Sequence, residues 1–346
     1  MTSNDFKTDY REDMVIFPTL WTKVWMGILI LVLVLFPLAA DRYLVSIVNS
    51  MAIACIGALG LNILIGYTGL VSIGHGAFLA IGAYSTAFLS NNYGLPFLVV
   101  LPLSGALAAL GGLFISIPAL RLKGIYVAMA TLAFNFIIVF IFSHLNVTGG
   151  ANGTGVPGAS IGAFMIDTEV KFYLLVMVIL SIALLCARNI FRTRIGRSFI
   201  AIRDRDLAAR LIGINISGYK ILSFVISSFY AGVGGSLFAC YYNFIVPENF
   251  NVAVSIQYIA IIVLGGLGSL VGTIFGAILI TLIPEGIRMI TDLFRFSHPG
   301  LVEKFSDFNL GISGLIIVSF LIFEPEGLYG IWKNVKAYFK TWPFRY

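Results

Sequence analysis

Residue types able to carry covalent chemistry are few in this 346-residue sequence, with only three histidines and three cysteines. Cys55, Cys186 and Cys240 fall in apolar runs without pairing or ligand spacing, so they read as free thiols behaving as small hydrophobes. No metal site and no cofactor held by this chain are expected. A nucleotide hydrolase would carry a Gly-x-x-x-x-Gly-Lys-Ser/Thr phosphate loop, and no Gly-Lys dipeptide occurs. An ion-coupled carrier would set an acid or base within its apolar runs. Those runs hold essentially none, apart from Glu285 and Arg288 near the outer end of one. The expectation is a protein that performs no covalent chemistry of its own.

Two segments can instead do physical work. The first, Gly57–Gly94, holds eight glycines together with Asn62, Thr68, Ser72, His75, Ser85 and Thr86. Glycines let helices approach closely, and let a helix break where carbonyls must face a cavity. Helix ends and hydroxyls in such a lining could meet the charges of a zwitterion with an apolar side chain. Asn62, Thr68, Ser72, Gly74, His75 and Gly76 are therefore candidate path residues. His75, the only ionisable group in the run, reads either as a gate residue or as a neutral imidazole bonded to a backbone carbonyl. Asn135 reads as a helix–helix hydrogen bond, and His144 as interfacial.

The second segment, Arg188–Arg210, carries seven arginines and two aspartates in 23 residues, a local charge of +5 in a chain whose total is +6. Ile195, Phe199, Ile202, Leu207, Leu211 and Ile212 recur near 3–4 spacing, which predicts a short amphipathic helix pair at a membrane surface. Two readings compete. Arginines can meet anionic lipid at ~1 kcal/mol each. Alternatively, the pair docks a soluble protein, as the interleaved Asp204 and Asp206 and the small Ala208, Ala209 and Gly213 suggest.

The elements that must position these segments follow from composition. The chain is 59% apolar and only 11% charged, with a mean hydropathy of +0.98, where soluble domains carry about 25% charged residues. Between Tyr43 and Leu120 there is no Asp, Glu, Lys or Arg in 78 consecutive residues, and Gly124–Ile166 and Asn249–Pro284 are equally bare. About 20 apolar residues span the hydrocarbon layer, so the chain is expected to be an all-α, polytopic transmembrane bundle. About ten spans are placed near 24–40, 45–66, 70–90, 96–118, 125–145, 171–187, 221–246, 254–268, 272–290 and 309–323. Residues 1–23 form an N-terminal segment that lacks the pattern of a cleaved signal. Residues 24–323 form the membrane domain, with an inner loop at 188–220, and 324–346 form a tail.

Sidedness follows from basic residues, which stay cytoplasmic. With both termini cytoplasmic, the inner segments collect 17 of the 22 Lys and Arg. That parity requires Val254–Ile283 to be two short helices broken at Gly265–Ser269; the competing reading is one long helix with a glycine-rich packing face.

With these residues in view, a resemblance stands out. Gly196–Asp204, Leu207–Ala209 and Gly213–Asn215 resemble the cytoplasmic coupling loop of ABC-importer permeases of the branched-chain amino acid (LivH/LivM) family. Gly66–Phe78, Thr148–Gly153, Gly265–Ser269 and Phe323–Leu328 also match that family's pattern, and Tyr338–Phe344 is similar to the tail of its LivM subunit. The likeness runs from about Ile53 to the end, with one departure: Arg210 follows Ala208 and Ala209, where family members often carry an acid within the segment.

The resemblance implies a permease subunit of the prokaryotic inner membrane, working by alternating access. It would bind two ABC ATPase subunits, which hold ATP and Mg, and a second, LivH-like permease. A periplasmic or lipid-anchored solute-binding protein, membrane lipid and an amino-acid substrate complete the expected partners, with no nucleic acid. Gly196, Arg197, Ile202, Arg203, Asp204, Ala208, Ala209 and Gly213 would then couple to the ATPase. The outer loop Asn146–Thr168 is either a connector or a surface meeting the binding protein, with Gly149, Gly150, Asn152 and Glu248 as contacts and Asp167 and Glu169 as further outer acids. Urea or short amides are the alternative cargo. A self-sufficient channel or ion-coupled carrier is the rival of a different class.

Overall fold

The computed structural model describes residues 20–122, 124–145, 148–161, 164–294, 311, 314–315, 318–320, 322, 324 and 327–341. Their helices, in chain order, are α1 (Leu20–Ala39), α2 (Arg42–Leu61), α3 (His75–Tyr93), α4 (Phe97–Ala119), α5 (Ile125–His144) and α6 (Glu169–Arg192). There follow α7 (Arg194–Asp204), α8 (Asp206–Leu211), α9 (Ile216–Tyr242), α10 (Val252–Gly265), α11 (Leu270–Phe294) and α12 (Gly327–Thr341). Among the described residues, seven helical segments are long and apolar enough to cross a membrane. They fall on seven of the ten positions expected from the sequence. Helices α1 and α3 occupy two more, and the expected span at 309–323 lies largely outside the described residues, as do residues 1–19 and Trp342–Phe344.

Helix α9 is the hub, packing against α4, α3 and α2. It can do so because small residues line the contacts, which lets backbones come close where lipid supplies no hydrophobic drive. A Cβ on Gly82 would overlap the Gly232 carbonyl, one on Gly235 the Leu79 carbonyl, and one on Gly60 the Ser227 carbonyl. Hydroxyls stitch the same seam: Thr86 Oγ1 lies 2.8 Å from Ser104 Oγ of α4 and 2.8 Å from Ser236 Oγ of α9. Outward faces of the bundle carry bare apolar side chains such as Phe114, Ile117, Met129, Phe136 and Phe140, as a lipid-facing surface requires.

The helices are interrupted at two places. Helix α2 runs into a π turn, Asn62–Tyr67, and the chain then stays unwound until α3 starts at His75. Between α10 and α11 the chain turns through Gly266 (φ 111°) and Gly268 (φ 78°), conformations that suit glycine. The break expected at Gly265–Ser269 is thus present. At the opposite end of α9, a two-residue strand Thr154–Gly155 pairs antiparallel with Phe244–Ile245.

Candidate functional site

The expected amphipathic pair is present as α7 and α8. Thr193 caps α7 by accepting a hydrogen bond from Ile195 N at 3.2 Å. Phe199 and Ile202 are buried and Ile195 half-buried, as their spacing predicted. Leu207, Leu211 and Ile212 depart from that single face, with exposures of 76%, 87% and 73%. The cause is Arg205, whose extended backbone (φ −158°, ψ 108°) separates the two helices and turns the apolar side of α8 outward.

The pair is clamped from two sides. Toward α9, Lys220 Nζ sits 2.8 Å from Asp206 Oδ2, and the Phe199 and Tyr219 rings meet edge to face at 6.2 Å. Toward the π turn, the Arg203 guanidinium donates to the Gly66 carbonyl, and Phe191 at the end of α6, just before the pair, stacks on Tyr67 at 3.5 Å. The arginine's stem rests on Gly69, and its Nη1 lies where Gly268 leaves room by having no side chain. Of the expected coupling residues, Gly196, Ile202 and Ala209 are buried within the chain, while Arg197, Arg203, Asp204, Ala208 and Gly213 are exposed, Arg203 with its guanidinium turned back to Gly66.

Asn62 joins the two breaks. Its Nδ2 donates to Ser269 O at 2.9 Å and to Thr273 Oγ1 at 2.7 Å, while its Oδ1 accepts from Gly268 N at 2.9 Å. The other path candidates also have partners within the chain. Thr68 Oγ1 donates to Ile63 O at 3.1 Å, Ser72 Oγ accepts from Gly74 N at 3.4 Å, and Gly74 packs on the Thr131 backbone. The six candidates therefore divide between a junction at Asn62 and a second cluster at the start of α3.

In that second cluster, Gly76 N donates to Ser255 Oγ of α10 at 2.8 Å, and His75 Nε2 lies 3.0 Å from Gly57 O. A carbonyl accepts, so Nε2 carries the proton. This is the carbonyl-bonded imidazole that one reading of the sequence expected. The ring also meets Tyr258 at 5.1 Å. Asn135 Nδ2 donates to Phe250 O at 3.4 Å, in the short turn Pro247–Phe250 before α10, so it ties α5 to a connecting turn where a helix–helix bond was expected. Among the described residues, His75 Nδ1 and Asn135 Oδ1 are buried without a partner. Sequence reasoning did not single out Ser255, Tyr258 or Thr273. Each is a polar group inside a charge-free run, a signal that was available.

At the far end of α9, the outer loop is held to the chain after that helix. Gly149 (φ 77°) and Gly153 (φ 78°) turn the backbone, and Gly153 packs on Ile245 O and Val246 beside the short ladder. Asn152 and Glu248 are exposed nearby in sequence to its two strands.

A polytopic helical bundle with interrupted, glycine-lined helices and a basic surface pair has the build of a membrane permease. The chain belongs to the family described as branched-chain amino acid transport system / permease component, whose pattern matches residues 43–321. It is 31% identical over 335 residues to the high-affinity branched-chain amino acid transport system permease protein LivM of Escherichia coli K12, covering 90% of this chain and 75% of that one. The LivM protein of Salmonella typhimurium is 30% identical over the same shares. An autoinducer 2 import system permease protein, LsrC of Enterobacter sp. strain 638, is 30% identical over 73% of this chain and 70% of its own. No solved structure matches.

Proposed function

We propose that this chain is one permease subunit of an ABC importer that moves branched-chain amino acids across a prokaryotic inner membrane. It has about ten spans and cytoplasmic termini, and works beside a second permease, two ATPase subunits and a periplasmic or lipid-anchored binding protein. The observation that carries the reading is the α7–α8 pair. It leaves Leu207, Leu211 and Ile212 bare beside exposed Arg197, Asp204, Ala208 and Gly213, while its other face is clamped to the bundle. An apolar tip ringed by charge suits a protein cleft better than a lipid surface, since lipid adsorption needs neither the small residues nor the aspartates. ATP-driven closure of the ATPases moves the pair and opens the path outward. The path runs by His75, Gly76, Asn135 and Ser255, where the buried, unpartnered His75 Nδ1 and Asn135 Oδ1 suit an ammonium group. The exposed Gly149, Asn152 and Glu248, with the half-buried Gly150, meet the binding protein.

The test is uptake into proteoliposomes holding both permeases, the ATPases and the binding protein. Leucine, isoleucine or valine uptake that needs ATP supports the reading, and Leu211→Asp or Ala208→Trp abolishes it while leaving insertion intact. Flux through this chain alone without ATP, or uptake of urea, short amides or autoinducer 2 in place of amino acids, overturns it.

A further inference from the structure

We infer that Arg203 is the positioning residue that makes the α7–α8 pair and the two inner helix breaks move as one body. The inference rests on the reading of that pair as the docking element for the ATPases, and it gives Arg203 a task inside the permease rather than at the ATPase surface. An arginine in a docking helix would be expected to aim its charge at the partner. Here the guanidinium turns back, donates to the carbonyl of Gly66 in the π turn, and lies against Gly268 in the break between α10 and α11. One side chain from the surface pair therefore touches both interruptions.

The surroundings support a mechanical rather than a filling role. Gly66 O sits at the π turn, after which the helix unwinds, and such carbonyls lack the full ladder that stiffens a helix interior. A charged donor is the stronger kind of partner for a carbonyl so placed. Gly268, beside the same Nη1, is tied through its N–H to Asn62 Oδ1, and Asn62 in turn holds Ser269 and Thr273. Displacing α7 thus pulls on Gly66 directly, and on the start of α11 through Gly268 and Asn62. The stacked Phe191 and Tyr67 rings hold the end of α6, two residues before α7, against the same π turn. One nitrogen, Nη1, meets both breaks, and arginine holds it there on a rigid, weakly hydrated plane, whereas a lysine carries its charge on a flexible, strongly hydrated stem.

The experiment uses the assembled importer in lipid nanodiscs, with Arg203→Gln and Arg203→Lys compared against the parent chain. Three quantities are read: ATP hydrolysed, amino acid imported per ATP, and amide hydrogen exchange at 66–69 and 266–269 with and without a non-hydrolysable ATP analogue. In the parent, nucleotide changes exchange at both segments. In Arg203→Gln the ATPases still bind and hydrolyse, import per ATP falls about tenfold, within the usual range of coupling between linked sites, and the nucleotide-dependent change in exchange disappears. Arg203→Lys, which keeps a donor for Gly66 O, recovers part of both. A merely structural arginine would lower stability without moving import per ATP. Arg203→Gln with parental import per ATP and a parental exchange response overturns the inference. A parent complex that fails to assemble or needs no ATP overturns the docking reading instead.

Should Arg203→Gln fail to insert, a label pair on the parent chain decides. With the exposed Cys186 replaced by Ser, spin labels at Ile200→Cys and Val271→Cys report on α7 and on the start of α11. One body keeps their separation constant through nucleotide binding, and a separation that changes with nucleotide overturns the inference.

Discussion

A single amide, Asn62, carries three hydrogen bonds at a point fully removed from solvent, and nothing smaller could replace it. Its Nδ2 supplies two donors to Ser269 and Thr273, and its Oδ1 satisfies the Gly268 N–H. Asn62→Leu strands that N–H, at about 1–3 kcal/mol, whereas the Ser269 carbonyl still accepts from Thr273 N and Oγ1. Asn62→Asp is worse, because a carboxylate faces the Ser269 carbonyl with no donor to offer. Melting of the detergent-purified chain should order parent, Asn62→Leu and Asn62→Asp from most to least stable, and an Asp variant as stable as the parent contradicts the assigned bonds. His75 makes a gentler case. His75→Gln keeps a donor for Gly57 O and should leave ATP-driven uptake intact, whereas His75→Leu loses about 1 kcal/mol of stability with that bond. Loss of uptake in the Gln variant, with expression unchanged, restores the gate reading. The sequence singled out these two residues as candidates; only the fold shows which partners they use, because those partners lie elsewhere in the chain.

Elements were legible in unequal degree. The break between α10 and α11 was readable from consecutive glycines and from the parity of basic ends, two independent signals that agree. The surface pair α7–α8 was readable from arginine density and 3–4 spacing. Its internal kink was not, since Arg205 is not a helix breaker by type and takes its extended backbone from the chain's path. The π turn at Asn62–Tyr67 also left no mark in composition, because it differs from an α-helix by hydrogen-bond register alone. The glycine break makes a prediction at this scale. Gly266 adopts φ 111° and ψ 113°, a region closed to side chains, and Gly327 at the start of α12 packs on its backbone. Gly266→Ala should cost about 1–3 kcal/mol and raise amide exchange across 264–270 more than elsewhere. Uniform exchange in that variant would mean the turn is not where the strain falls.

At the scale of the molecule, orientation is set by geometry and charge together. Helix α9 has 27 residues, about 40 Å at 1.5 Å each, against a hydrocarbon layer of ~30 Å. It begins just after the α7–α8 pair and ends beside the ladder that joins 154–155 to 244–245. The pair and the ladder must therefore lie on opposite faces, whichever way the chain inserts. Charge then gives the expected choice, which places the pair in the cytoplasm: the face bearing it holds seven arginines within Arg188–Arg210, and basic segments tend to be retained there. In a chain with Cys186 replaced by Ser, Leu211→Cys should resist a membrane-impermeant maleimide in intact cells and react in inverted vesicles. Asn152→Cys should do the reverse. Both sites are exposed, so reactivity reports sidedness rather than burial. Labelling of both from one face would show that α9 does not cross. The inverse pattern would put the arginine-rich pair outside, where no ATPase could reach it, and the importer reading would fall with it.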